Sequence, residues 1–181
     1  MLAYLALVLS VHVRVYDGYG MPRGELTAAR TVVARILKDA DIDVQWAECP
    51  CAAPVGPTEL MVRVVASTPK SEPASLGFSY VDVERRIGTL ATVFADRVRG
   101  LAASAGVDEG ELTGRAMAHE IGHLLLGTRD HERTGLMRGT WTSIELARNH
   151  PLDWQLSRAD AVRLRQGLVR RLQVRDPMAF S

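Results

Sequence analysis

Apolar and polar residues alternate over positions 11–17, VHVRVYD, as they do in a strand buried on one face. Gly18 and then Gly20-Met21-Pro22 break the run. From 25 to 40 the apolar positions shift to helical spacing, with Leu26, Ala29, Val33, Ile36 and Leu37 on one stripe. Residues 44–47 predict a second strand and 59–66, ELMVRVVA, a third. A fourth over 76–83 is less regular and holds Gly77; a fifth spans 88–94, and 95–105 can continue from it as a helix.

The clearest helix follows. Asp108 can cap it, with Glu111 three residues later in a capping-box-like start. Met117, Ile121, Leu124 and Leu125 recur at helical spacing and are expected to face the core, and Gly127 is placed as the stop. Ser157 opens a terminal helix with Asp160 as capping partner, and Ala161, Leu164, Leu168 and Leu172 are expected to face inward. Strand, helix, four strands and then helices predict an α+β chain.

Within the long helix the sequence reads His119-Glu120-Ile121-Gly122-His123. Residues four apart lie one turn apart on the same face, so both imidazoles can reach one Zn²⁺ at about 2.0–2.1 Å. His119 and His123 share a stripe with Leu112 and Ala116, beside the core stripe, which leaves them free to face a cleft. Glu120 would sit beside the ion, where it can take a proton from a zinc-activated water. The bland alternative is a helix carrying two partly buried, hydrogen-bonded histidines.

A catalytic zinc takes three protein ligands and leaves one position open. His131, four residues past Gly127, is the nearest third candidate; Asp130, Glu145 and His150 are the competitors. Gly135-Leu136-Met137 comes shortly after.

The stretch HEIGHLLLGTRDH followed by TGLM resembles the metzincin zinc peptidases, in which a glycine turn, a third histidine and a methionine-bearing tight turn follow H-E-x-x-H. Both gaps here are four residues, against three in the common spacing, so Leu126 and Arg129 stand where that spacing places glycine and the third ligand. The order of elements is also similar, from about residue 11 to 172.

The resemblance implies a mixed five-stranded sheet packed with helices, including a zinc-binding helix and a C-terminal helix. It implies one catalytic Zn²⁺ on His119, His123 and His131, with Glu120 as general base of a zinc-dependent endopeptidase. Met137 would pack beneath the ion without binding it. Gly139 stands where some members carry a tyrosine ligand, so none is expected. A peptide or protein substrate would lie extended along an edge strand, with 76–83 as the candidate. A zinc-stabilised domain without turnover, or a zinc hydrolase acting on a non-peptide amide, remains the alternative.

The remaining features refine this picture. Trp141 is either a core residue or the wall of a pocket beside the ion; Trp46 and Trp154 read as packing residues. At 181 residues and 47% hydrophobic content, the chain can bury one core, giving a single domain over 11–181 behind an apolar lead, 1–10. That lead would suit a residual signal sequence or the entry to the first strand, and is too short to span a bilayer. It tilts the expected location towards extracytoplasmic or secreted. No long propeptide is expected ahead of the domain, and latency would then need another device.

A formal charge of +1 gives no field to recruit nucleic acid or a membrane. Arg158, Arg163, Arg165, Arg170, Arg171 and Arg175 are expected to form a solvated helix face. Cys49 and Cys51 are open to three readings: free thiols, a labile disulfide or an accessory metal site. Oligomeric state has no signal in the sequence.

Overall fold

The computed structural model describes residues 9–49, 55–56, 59–68 and 75–173. The elements follow in the predicted order. Strand β1 is Leu9–Asp17, helix α1 Arg23–Lys38, β2 Ile42–Glu48, β3 Glu59–Val65, β4 Gly77–Asp82 and β5 Ile87–Phe94. Helices α2 (Ala95–Ala105), α3 (Glu109–Leu126), α4 (Ser143–Arg148) and α5 (Arg158–Gln173) complete it, with a 3-10 turn at Pro151–Trp154. The short helix α4 and the 3-10 turn are absent from the sequence reading.

The sheet order is β2-β1-β3-β5-β4, parallel except for the antiparallel β4–β5 pair. A parallel neighbour requires a crossover, and α1 supplies it between β1 and β2. The antiparallel pair needs only a turn, in which Arg86 takes a positive φ of 55°. Strand β4 thus lies at an edge of the sheet, as the sequence reading placed it.

One face of the sheet makes the core. Val11, Val13 and Val15 of β1, Leu60, Val62 and Val64 of β3, and Ala91 and Val93 of β5 point into it, against Val33, Ile36 and Leu37 of α1. Helix α3 runs through the middle: every residue from Leu112 to Leu125 is buried. Its expected core stripe, Met117, Ile121, Leu124 and Leu125, is fully buried. Asp108 caps the start by accepting from Glu111 N at 2.7 Å. Gly127 ends the helix at φ 68°, against the Arg86 backbone, where a Cβ would have no room.

Helix α5 departs from expectation in its last turn. Leu164 and Leu168 are buried, but Leu172 is 43% exposed and Arg171 lies inside at 3%. The cause is what α5 covers: the end of α3, where Leu124 presents a carbonyl that the finished helix cannot pair. Arg171 donates Nη2 to that oxygen at 2.9 Å and also to Gly88 O. Arg171 therefore leaves the solvated face assigned to the C-terminal arginines, and Arg175 lies outside the described residues. Ser157 Oγ accepts from Asp160 N at 3.0 Å, capping α5 as expected.

The N-terminal lead, 1–8, lies outside the described residues, and its expected last two positions, Leu9 and Ser10, already belong to β1. Cys49 is disulfide-bonded; Cys51 lies outside the described residues. No helix among the described residues is long and apolar enough to cross a membrane.

Candidate metal centre

His119 and His123 sit one turn apart on α3, and the loop after Gly127 brings His131 to face them. The Nε2 atoms of His119 and His123 are 3.0 Å apart, and those of His123 and His131 3.2 Å. One ligand atom from each of the three lies within 4.8 Å of the others, and they form the one such cluster among the described residues.

The other ring nitrogens decide what these atoms are. His119 Nδ1 lies 2.9 Å from Leu136 O, and His123 Nδ1 3.0 Å from Thr128 O. A carbonyl only accepts, so each Nδ1 carries the proton and each Nε2 presents a lone pair. Burial, reinforced by the neighbouring rings, holds the His119 imidazole down to about 3 and that of His123 to about 4. Both rings are neutral near pH 7. Lone pairs facing one another at these distances repel unless a cation lies between them. Two ligands about 2.0–2.1 Å from a tetrahedral ion sit roughly 3.4 Å apart, close to the spacing observed, so the donor set fits zinc.

Glu120 is 6% exposed on the same helix. The Ser79 hydroxyl, on β4, lies 2.7 Å from its Oε2 and 2.8 Å from its backbone oxygen. Burial pushes the carboxyl up to about 7, against the opposing pull of the Ser79 bond. It is poised to exchange a proton near neutral pH.

Met137 is 1% exposed. A Cβ on Gly122 would come 2.6 Å from its Sδ, so the glycine inside the motif makes the seat for the thioether. The turn leading to Met137 has Gly135 at φ 75°, and Met137 O accepts from Glu132 N at 2.9 Å. The same turn supplies the Leu136 oxygen that fixes His119. Gly139 backs onto the His131 ring with no side chain to offer the centre.

The three competitors are engaged elsewhere. Asp130 accepts from Thr128 Oγ1 at 2.7 Å. Glu145 completes a capping box with Thr142 and receives Arg138 Nη1 at 2.9 Å. His150 is exposed and caps the 3-10 turn through Leu152 N.

A cavity of about 390 Å³ opens over the histidines, between β4 and the segment from Arg138 to Trp141, with Leu101 of α2 and Ala116 of α3 in its wall. Trp141 takes both roles considered for it: it packs on the core and lines this cavity, its ring edge-on to His119 at 5.7 Å. Trp154 is buried, with the Arg115 guanidinium 4.1 Å above its ring. Sequence reasoning passed over Ser79. Its one signal was a hydroxyl on the inward face of β4, at the alternate position between Gly77 and Val81.

No protein-family model matches the chain, and no curated protein matches it. Solved structures do. An archaemetzincin from Methanopyrus kandleri aligns over 93% of this chain and 99% of its own, with TM-score 0.58 and 15% identity. A zinc-dependent peptidase from Methanocorpusculum labreanum aligns over 84% and 99%, at 0.56 and 15%. Metalloproteinase-II from Bacteroides fragilis aligns over 89% of this chain and 54% of its own, at 0.55 and 12%. At these identities the likeness shows the fold: an α+β architecture like that of the archaemetzincin-type metallopeptidases, here holding a cluster of three histidines.

Proposed function

We propose that the chain is a zinc-dependent metallopeptidase of metzincin type, with one Zn²⁺ on His119, His123 and His131 and with Glu120 as general base. The observation that carries this reading is the convergence of three imidazoles, two with Nδ1 tied to carbonyls so that Nε2 is the free donor, beside a buried carboxyl. Similarity of fold to zinc peptidases supports it. A purely structural zinc site has no need of a general base.

Bound there, zinc would supply Lewis acidity, acidifying a water and polarising a carbonyl. Glu120 takes a proton from the water as its oxygen adds to the peptide carbonyl, and returns it to the amine nitrogen as the C–N bond breaks. Ser79 holds Oε2 and so fixes the direction in which Glu120 accepts. His119 and His123 are kept neutral by burial and aligned by Leu136 O and Thr128 O. Met137 seats its thioether on Gly122, next to His123 in sequence, and would there take the role of a metzincin methionine turn. Strand β4, at the sheet edge over the cavity, offers backbone groups to an extended peptide.

The test is metal content and peptide hydrolysis measured on wild type and Glu120→Ala together. About one zinc per chain in both, with cleavage by wild type alone, is the expected result. Zinc in both with no cleavage across a broad peptide library would favour a zinc-stabilised binding domain; no zinc in either would overturn the reading.

A further inference from the structure

The cavity over the histidines is unevenly charged. Besides the histidines, its ionisable side chains are Glu120, Arg129 and Arg138. Glu120 is turned to Ser79. Arg138 is neutralised from behind, its Nη1 2.9 Å from Glu145 and 3.5 Å from Asp153. Arg129 is different. Its Nη2 donates to the neutral Val81 O at 3.1 Å, and among the described residues no carboxylate lies within ion-pair distance of it. It is exposed and at the cavity wall, so the rest of its planar fork of donors can be reached by a ligand.

The bond to Val81 fixes where along the cleft this charge sits. Ser79 marks the reacting centre, because its hydroxyl touches Glu120. Val81 lies two residues further along the same strand, across a register shift between Tyr80 and Val81, so at most about 7 Å, the reach of two extended residues. A peptide lying beside β4 passes the guanidinium about two residues from the bond at Glu120.

We propose that Arg129 is a specificity-determining residue that pairs with a substrate carboxylate about two residues from the scissile bond, making acidic peptides the preferred substrates. The carboxylate can belong to an Asp or Glu side chain or to a free C-terminus; a guanidinium takes either as a bidentate partner. The proposal rests on the peptidase reading for the word substrate, and on the cavity alone for binding.

The test therefore reads binding and cleavage separately. Peptide pairs differing by one group, Asp against Asn, Glu against Gln, and C-terminal acid against amide, are titrated into zinc-loaded Glu120→Ala and assayed for kcat/KM with zinc-loaded wild type. The acidic member is expected to bind and react about tenfold better or more, the scale of one charge-assisted pair. The side-chain and C-terminal pairs tell which carboxylate is taken. The preference should vanish in Arg129→Gln, whose amide can still donate to Val81 O, and pass to lysine-bearing peptides in Arg129→Glu. Acid-selective binding that depends on Arg129 without any cleavage would support the carboxylate pairing and favour a zinc-stabilised binding domain over the peptidase reading. Cleavage without acid preference, or a preference that survives Arg129→Gln, would overturn the proposal and leave the peptidase reading standing.

Discussion

Glu120 is a carboxyl kept where a charge is poorly solvated, and that has a measurable sign. Its folded value of about 7 stands above its ordinary 4.5, so the folded metal-free chain binds the proton more tightly than the unfolded one. The resulting penalty is absent below about pH 4.5, grows as pH rises towards 7 and is constant above. Metal-free Glu120→Gln should therefore gain on wild type by an amount near zero at the acid end and about 3 kcal/mol above pH 7. Urea unfolding across this range measures it; a gain independent of pH would sink the argument. His119 and His123 act in the opposite sense: with values depressed to about 3 and about 4, their stabilisation is present above about pH 6.5 and lost as pH falls. They are common to both proteins and cancel in the comparison. Ser79 acts through Glu120. Ser79→Ala is expected to lower kcat about three- to tenfold with KM and zinc content little changed, and Ser79→Thr to restore it. An unchanged kcat would mean that packing alone fixes the carboxyl.

At the scale of elements, the site depends on how α3 ends. The helix stops at Gly127 so that the chain can return with His131, and stopping leaves carbonyls that α5 then covers. Arg171 pairs one of them, Leu124 O, from inside the protein, together with Gly88 O of β5. Replacing it with Met should cost about 2–4 kcal/mol, because two buried acceptors lose their donor. Gly167 brings α5 so close that a Cβ there would overlap Leu125 O. Gly167→Ala should cost about 3 kcal/mol by forcing the helices apart. Guanidine unfolding of each variant tests these values, and a neutral Arg171→Met would show that water serves the carbonyls equally well.

For the whole molecule, metal binding and folding are one equilibrium. The histidines come from α3 and from the loop after it, so the cluster exists only in the folded chain, and an ion that binds there stabilises it. Zinc at a hundred times its Kd should add about 2.7 kcal/mol, or roughly 5–10 °C in Tm for a chain of this size. A chelator should reverse the shift. His119→Ala, His123→Ala and His131→Ala should each abolish or strongly reduce it, whereas Asp130→Asn should not. A shift that survives His131→Ala would move the third ligand elsewhere.

The sequence by itself determined the element order, because alternation and helical spacing are local signals tied to burial, and each predicted strand and helix is present. It also determined the chemistry of α3: i, i+4 spacing places His119 and His123 together in any helix, and Gly127 sets where that helix stops. What lay beyond local reach was decided by packing. The sequence left His131 competing with Asp130, Glu145 and His150, since a contact across a turn depends on where the loop goes. In the fold, Glu145 and His150 are drawn off as helix caps while His131 faces the pair on α3. Leu172 and Arg171 exchange the places expected of them because α5 meets a carbonyl-bearing helix end, a surface no window of its own sequence contains. Ser79 on Glu120 and Arg129 beside Val81 likewise join residues 41 and 48 positions apart. Spacing could pair two histidines on one helix; only the folded loop and sheet edge could supply what faces them.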